Sequence, residues 1–364
     1  MTKIIISGGG TGGHIYPAIA IANEIKALRP EAEILFVGAQ GRMEMEKVPK
    51  AGYPIEGLWI SGLQRRLSLQ NLLFPAKLWL SLRRAGQILR QFRPQAAVGV
   101  GGYASGPLLY AATRHKIPTL IQEQNSFAGL TNRWLASRVQ KICVAYEGME
   151  KFFPAQKLVL TGNPVRRDIL HLEGKAAEGY AHFGLQPNKP TVLVIGGSQG
   201  AKSINEAIAQ NLEKFEQAGA QLLWQTGKNP FQESALSQAG EALPYVRRTE
   251  FIYPMDLAYA VADVVISRAG ALSVSELCIA AKPTVFVPLP TAAEDHQTQN
   301  ARALVAKEAA LLVPNAEAHA RLVPTALYLL QNAPLRQKFS QHLRPLARPE
   351  ATRQIAEEVL RLIK

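Results

Sequence analysis

The chain has 364 residues, 47% hydrophobic and 19% charged, with a net charge of +13. That length suits two domains, and the composition is that of an ordinary soluble globular protein, not a disordered one. No apolar run approaches the roughly 20 residues of a membrane-spanning helix, no signal-peptide pattern precedes the first strand, and the two cysteines, Cys143 and Cys278, are too few for a disulfide framework or a zinc cluster and read as reduced core residues of a cytosolic protein.

In chain order the first half alternates strands, expected at 3–7, 33–37, 96–100, 118–122, 140–145 and 157–161, with helices near 16–28, 42–51, 75–92, 105–115, 128–136 and 147–152. Short continuous apolar runs such as Ala97-Val98-Gly99-Val100 are the mark of buried parallel strands. Asn163-Pro164 breaks the pattern and is the expected hinge. The second half restarts with strands at 191–195, 221–225, 247–251, 263–267, 284–287 and 310–313. Its helices are expected near 201–218, 229–238, 255–261, 271–281, 296–308, 318–331, 334–341 and 350–364. Repeated β–α order gives an α/β fold of two Rossmann-like domains, 1–163 with the C-terminal stretch 342–364 and 164–341. Their parallel sheets are expected to face each other across a cleft, with ligands at the carboxyl ends of the strands.

Two glycine-rich loops open the two halves, Gly8-Gly9-Gly10-Thr11-Gly12-Gly13-His14 and Gly196-Gly197-Ser198-Gln199-Gly200-Ala201. Each lies between a β-branched run and a helix, where bare backbone can approach a ligand and helix N–H groups can meet an anion. Tight strand–helix turns explain one such loop equally well, but a loop in each half, with Gly101-Gly102-Tyr103 after a third strand, favours a ligand. A dinucleotide site is disfavoured, because no acid ends the second strand at Leu35-Phe36-Val37-Gly38; a P-loop lysine is missing too. His14, at the end of the first loop, is placed to take a proton from a hydroxyl near neutral pH. After the strand Val264-Val265-Ile266, small residues at 269–273 open a helix to a diphosphate, and Glu276 can accept from ribose hydroxyls. Ser273-x-x-Glu276 also fits a capping box, so both readings stand. Gln297, in Asp295-His296-Gln297, offers an amide suited to sugar hydroxyls. The four Asp are scattered and form no Asp-x-Asp pair, so no metal site is expected.

Charge is uneven. Residues 1–163 hold 20 Lys and Arg against 9 Glu, and no acid lies between Glu56 and Glu123. Within that stretch Arg65, Arg66, Lys77, Arg83, Arg84, Arg90 and Arg93 alternate with Leu67, Leu69, Leu72, Leu73, Phe74, Trp79 and Leu80. Leu78, Leu82, Ala85, Leu89 and Phe92 form the expected core face of one helix. The remaining apolar residues fit either ordinary packing beside a solvated basic face or a patch seated on an anionic membrane. No nucleic-acid recognition motif is present.

Together with Glu123-Gln124-Asn125, Gly129-Leu130-Thr131-Asn132-Arg133 and Asn163-Pro164-Val165-Arg166, these segments resemble the MurG family of bacterial peptidoglycan glycosyltransferases from residue 3 to about 305. The resemblance implies the GT-B glycosyltransferase type and inverting transfer of N-acetylglucosamine from UDP-GlcNAc to the muramyl 4-hydroxyl of lipid I, forming lipid II. It implies no cofactor and a peripheral place on the cytoplasmic face of the bacterial inner membrane. By the same resemblance, Thr11, Gly12, Gly13 and Asn125 reach the donor from the first domain. Arg166, Ser198, Ile252, Ala271, Leu272, Ser273, Val274, Ser275, Glu276 and Gln297 hold it from the second, with uracil at Ile252, ribose at Glu276 and the sugar at Gln297. His14 is the expected base and Glu123 the alternative. Rival readings are an epimerase or lipid glucosyltransferase on the same fold, and a non-catalytic sensor of UDP-sugars.

Overall fold

A computed structural model describes residues 2–62, 73–197, 199–228 and 243–363. It divides into two units, residues 1–165 with 350–364, and 166–349. The stretch 342–349, expected with the first domain, thus lies with the second. Asn163, the expected hinge, is buried in the first unit, where its amide accepts from Gln122 and donates to the Gln124 carbonyl, both at 2.9 Å.

The first unit contains β1 (Lys3–Ser7), α1 (Gly12–Leu28), β2 (Glu33–Ala39), α2 (Glu44–Lys50), β3 (Ile55–Leu58), α3 (Phe74–Phe92), β4 (Ala96–Gly99), α4 (Ser105–Arg114), β5 (Thr119–Glu123), α5 (Leu130–Leu135), β6 (Lys141–Val144) and β7 (Leu158–Leu160). Its sheet runs β3-β2-β1-β4-β5-β6-β7, with every neighbouring pair parallel. Ile4, Ile5 and Ile6 are wholly buried because β1 is covered on both faces: Ile5 joins the core under α3 and α4, and Ile4 and Ile6 the core under α1. Strand side chains alternate between faces, so a run apolar at every position suits a central strand. Ile355, Ala356 and Val359 of the final helix enter the α1-side core, returning the chain terminus to this unit.

The second unit contains α6 (Ala176–Phe183), β8 (Thr191–Ile195), α7 (Lys202–Ala209), α8 (Leu212–Gln217), β9 (Gln221–Gln225), β10 (Val246–Thr249), α9 (Met255–Val261), β11 (Val264–Ser267), α10 (Ala271–Ala280), β12 (Thr284–Phe286), α11 (His296–Val305), β13 (Leu311–Leu312), α12 (Ala318–Gln331) and α13 (Ala333–Leu343). Helix α14 (Ala351–Arg361) is the one that returns to the first unit. The second sheet runs β10-β9-β8-β11-β12-β13, again parallel. In each sheet the order reverses beside the first strand, between β1 and β4 and between β8 and β11. Crevices at such reversals, beyond the strands' carboxyl ends, are where ligands bind on this architecture.

Several local expectations change. Strand β3 and helix α6 carry no strong periodic signal and were not expected, whereas the helix expected over 201–218 is broken into α7 and α8 at Gln210-Asn211. The helix expected at 229–238 falls outside the described residues, as do Ser198 and the basic stretch from Arg65 to Leu72. On α3, Ala85, Ile88 and Leu89 are buried and Leu78 and Phe92 pack on the core, while Leu82 is only half-buried.

Candidate active site

In the first unit the glycine loop is shorter than expected, because α1 already begins at Gly12 and His14 is its third residue. Thr11 is the extended residue before the helix, and Gly12 and Gly13 form its first turn. His14 Nδ1 lies 3.0 Å from the Gly9 carbonyl and 3.3 Å from Thr11 Oγ1. A carbonyl only accepts, so this contact assigns the proton to Nδ1 and the basic lone pair to Nε2. The loop after β4 packs against the same turn. Gly101 carries φ +96° and Gly102 φ +90°; a Cβ on Gly101 would meet the His14 ring at 2.7 Å, and one on Gly102 the Gly9 carbonyl oxygen at 2.3 Å. Glycine is required at both positions for backbone conformation and for space.

Glu123, at the end of β5, is 2% exposed and fully engaged. Its Oε1 accepts from the Asn125 N–H at 3.0 Å and Asn125 Nδ2 at 3.3 Å, its Oε2 from the Gly129 N–H at 3.1 Å and Asn132 Nδ2 at 2.8 Å. With two donors on each oxygen, this carboxylate shapes the Asn125 loop and has little capacity left for a substrate proton.

A second carboxylate of this unit escaped the sequence reading. Glu44, the first residue of α2, is 0% exposed. Its Oε1 accepts from the Ala39 N–H at 3.0 Å and its Oε2 from the Gly10 N–H at 2.9 Å. The only available signal was an acid six residues beyond Gly38, where the fold turns back towards β1.

In the second unit Gly270 is the N-cap of α10, with no side-chain cap, so the capping-box reading of Ser273 and Glu276 does not hold. Glu276 is buried and turned to its neighbours instead. Arg166 Nε donates to Glu276 Oε1 and the other arm of its fork to Oε2, both at 3.0 Å. Tyr259, wholly buried on α9, donates its hydroxyl to Oε2 at 3.1 Å. Burial, reinforced by the adjacent carboxylate, pushes the Tyr259 phenol well above its ordinary range, so it remains a donor. Arg166, expected on the donor itself, therefore acts on the carboxylate that was expected to hold the ribose.

Residues 271–276 form the first turns of α10, whose opening turn carries no acid; the first N–H groups of a helix lack intrahelical acceptors and favour anions. Ile252 is buried between exposed Phe251 and Tyr253, before the Tyr253-Pro254 cis bond. Among the described residues neither its N–H nor its carbonyl has a protein partner, leaving one donor and one acceptor, the complement of uracil's O4 and N3–H edge. Gln297 Oε1 accepts from the Leu289 N–H at 2.9 Å, which leaves its amide N–H groups as donors. Arg268, at the end of β11, was also missed as a tie: its guanidinium donates to the Val287 carbonyl at 2.9 Å, Asn315 Oδ1 at 2.8 Å and Ser203 Oγ at 3.2 Å. Burial lowers it to about 10, and it stays cationic at neutral pH.

Comparison with known proteins places this geometry. The model of the glycosyltransferase family 28 N-terminal domain matches residues 4–144, and that of the C-terminal domain matches residues 191–356. A Cytophaga hutchinsonii protein named UDP-N-acetylglucosamine–N-acetylmuramyl-(pentapeptide) pyrophosphoryl-undecaprenol N-acetylglucosamine transferase is 55% identical over 361 residues, 99% of this chain and 97% of its own. The Parabacteroides distasonis protein of that name is 52% identical, covering 99% and 98%. The crystal structure of Acinetobacter baumannii MurG superposes with a TM-score of 0.79 at 30% identity, over 99% of this chain and 100% of that one. A UDP-GlcNAc 2-epimerase from Neisseria meningitidis shares the fold alone, at 16% identity and a TM-score of 0.67 over 99% and 100% of the two chains. With both domain models matched in order along most of its length, the chain belongs to glycosyltransferase family 28.

Proposed function

We propose that the protein transfers N-acetylglucosamine from UDP-GlcNAc to the muramyl 4-hydroxyl of lipid I, releasing UDP and forming lipid II. Its full-length relatives carry that activity in their names, and the GT-B fold of the Acinetobacter baumannii MurG structure is the same. The observation that carries the donor half is the Glu276 carboxylate, fixed by Arg166 and Tyr259 near the start of α10. Its Oε1, which among the described residues carries only the Arg166 Nε bond, keeps the capacity to meet the ribose hydroxyls, the Ile252 backbone reads the uracil edge, and the first N–H groups of α10 receive the diphosphate. Gln297 meets the sugar hydroxyls, and Thr11, Gly12, Gly13 and Asn125 reach the donor from the first unit; Ser198 belongs to the same proposal from outside the described residues.

His14 is the base and Glu123 a positioning residue, since Glu123 already accepts four hydrogen bonds. The acceptor oxygen attacks the anomeric carbon and passes its proton to His14 Nε2. The bond from that carbon to the diphosphate oxygen breaks, and UDP leaves with the electron pair, inverting the centre. No cofactor enters this scheme.

The face of α3 supports peripheral attachment to an anionic membrane. Leu73, Trp79 and Leu80 are exposed, Arg83 lies 4.8 Å from the Trp79 ring centroid, and exposed Trp59 lies under Lys77. Phe74, grouped with them in the sequence, packs on the core instead. No described helix is long and apolar enough to cross a membrane. Each cation near an anionic surface contributes about 1 kcal/mol, enough in combination with inserted apolar tips for reversible docking on the cytoplasmic leaflet.

UDP release from UDP-GlcNAc with a short-chain lipid I analogue, in EDTA, tests the reaction. Acceptor-dependent release with a disaccharide-lipid product is expected. Donor binding without transfer to that acceptor overturns the assignment and leaves transfer to another acceptor or the sensor reading.

A further inference from the structure

The Gly9-Gly10 peptide is held at both ends. Its carbonyl oxygen is 3.0 Å from His14 Nδ1, and its N–H donates to Glu44 Oε2 at 2.9 Å. Glu44 is wholly buried, and its other oxygen is fixed by the Ala39 N–H. Space for it exists because two glycines lack side chains: a Cβ on Gly9 would fall 2.2 Å from Oε1, and one on Gly38 2.5 Å from Glu44 Cγ. The preceding Gly8-Gly9 peptide is braced by the loop after β4, since the Gly9 N–H donates to the Gly101 carbonyl at 3.3 Å.

From this we infer that Glu44 is a positioning residue that acts on His14 through the intervening peptide, as a carboxylate–peptide–imidazole relay. This rests on His14 being the base. A negative charge at the N–H end of a peptide polarises it and makes its carbonyl a stronger acceptor, because hydrogen bonds in a chain reinforce one another. The strengthened carbonyl holds the proton on Nδ1 and supports positive charge on the ring as Nε2 takes a proton. A triad aspartate does this by direct contact, and its loss through the wrong tautomer is severe; here a backbone amide carries the effect. The unconstrained histidine side chain prefers the proton on Nε2, the tautomer in which Nε2 is not a base. Among the described residues the phenols of Tyr16, beside Gly12, and Tyr103, beside Gly10, also approach this loop.

The test combines ¹⁵N-histidine NMR with kinetics. In the wild-type protein the neutral His14 signal is expected to show the Nδ1–H tautomer; a predominant Nε2–H form overturns the relay without any variant. Glu44→Gln keeps the shape but removes the charge and sets an amide donor against one of the two N–H groups. It is expected to shift His14 towards Nε2–H and to lower kcat by about ten- to a hundredfold, with KM for UDP-GlcNAc changed less than about threefold. An unchanged tautomer, or equal loss in kcat and donor affinity tracking a lower melting temperature, overturns the relay. Failure of the base assignment reads differently: His14→Ala then retains kcat, whatever Glu44→Gln does to the tautomer.

Discussion

Replacing Tyr259 by Phe removes one oxygen from a wholly buried site and leaves no cavity, so its effect isolates the hydrogen bond to Glu276. A hydrogen bond to a charged partner contributes about 1.5–3 kcal/mol. Glu276 keeps both arms of the Arg166 fork, so the lower end applies, and the second unit is expected to lose about 1.5 kcal/mol of stability. The carboxylate then pivots on one-sided support. If that forfeits a third to a half of two charged ribose contacts, about 1 kcal/mol of binding goes, or about a fivefold rise in Kd for UDP. Calorimetry with UDP reads the affinity, and a 2′-deoxyribose analogue separates causes, since a ligand lacking one contacted hydroxyl should lose less from the substitution. Glu276→Ala sets the ceiling. Because the phenol stays protonated well above its ordinary range, the difference should not vary across neutral pH. An unchanged UDP affinity beside a measurable loss of stability would refute the positioning argument and confine Tyr259 to the fold.

His14→Ala is expected to lower kcat by about 10²–10⁴ with UDP affinity little changed; near wild-type turnover removes it from the base role. Replacing exposed Leu73, Trp79 and Leu80 by Ser should release the protein from anionic liposomes at low salt, and continued co-sedimentation places the docking surface elsewhere. Burial pushes the Asp256 carboxyl up, but Lys175, donating at 2.5 Å, together with backbone hydrogen bonds from Leu257 and Asp256 itself more than offsets this and holds it below its ordinary value. Its contribution to stability is therefore full above the unfolded value of about 3.9 and fades as pH falls through the folded one; acid unfolding of Lys175→Met should lose this component, and an identical acid transition counts against the pair. Burial raises the Cys143 and Cys278 thiols to about 12, so native protein should resist thiol reagents at neutral pH until unfolded, and rapid labelling of either contradicts their core placement.

The strands were legible because buried parallel strands are short apolar runs, and Ile4-Ile5-Ile6 or Val192-Leu193-Val194 permit little else. Strand β3, Ile55-Glu56-Gly57-Leu58, was not, because an edge strand covered on fewer sides needs no such run. His14 and Glu276 stood out by place, each soon after a central strand. Their supports did not: Glu44 and Tyr259 are ordinary residues of short helices, and their roles arise only when the sheet brings α2 to the first glycine loop and α9 to α10. Ser273-x-x-Glu276 shows the opposite error, a local pattern overruled when α10 starts three residues earlier and frees the carboxylate for Arg166.

The two glycine loops look alike in sequence but differ in electrostatics, and on the proposed mechanism that difference separates base chemistry in one unit from diphosphate binding in the other. In the first, the Gly9 and Gly10 N–H groups are committed to the Gly101 carbonyl and to the Glu44 carboxylate. A buried negative charge beside a loop opposes a phosphate and favours a developing cation. The first loop's own Gly9 and Gly10 N–H groups are therefore unsuited to an anion, and on the proposed mechanism the loop orients an imidazole that gains a proton. In the second unit the helices that follow the β8 and β11 loops, α7 and α10, carry no acid in their first turns, a feature α1 shares, so the contrast lies in the Glu44 carboxylate set against the first loop. Arg268 adds a guanidinium held by carbonyls, an amide oxygen and a hydroxyl, so its charge is not cancelled by an acid. Base chemistry needs the first environment and a departing diphosphate the second. Exchanging the charges, with Glu44 neutral and Arg268→Gln, should damage the steps separately: the first substitution acts on kcat through His14, the second on the affinity for UDP over uridine, which lacks the diphosphate.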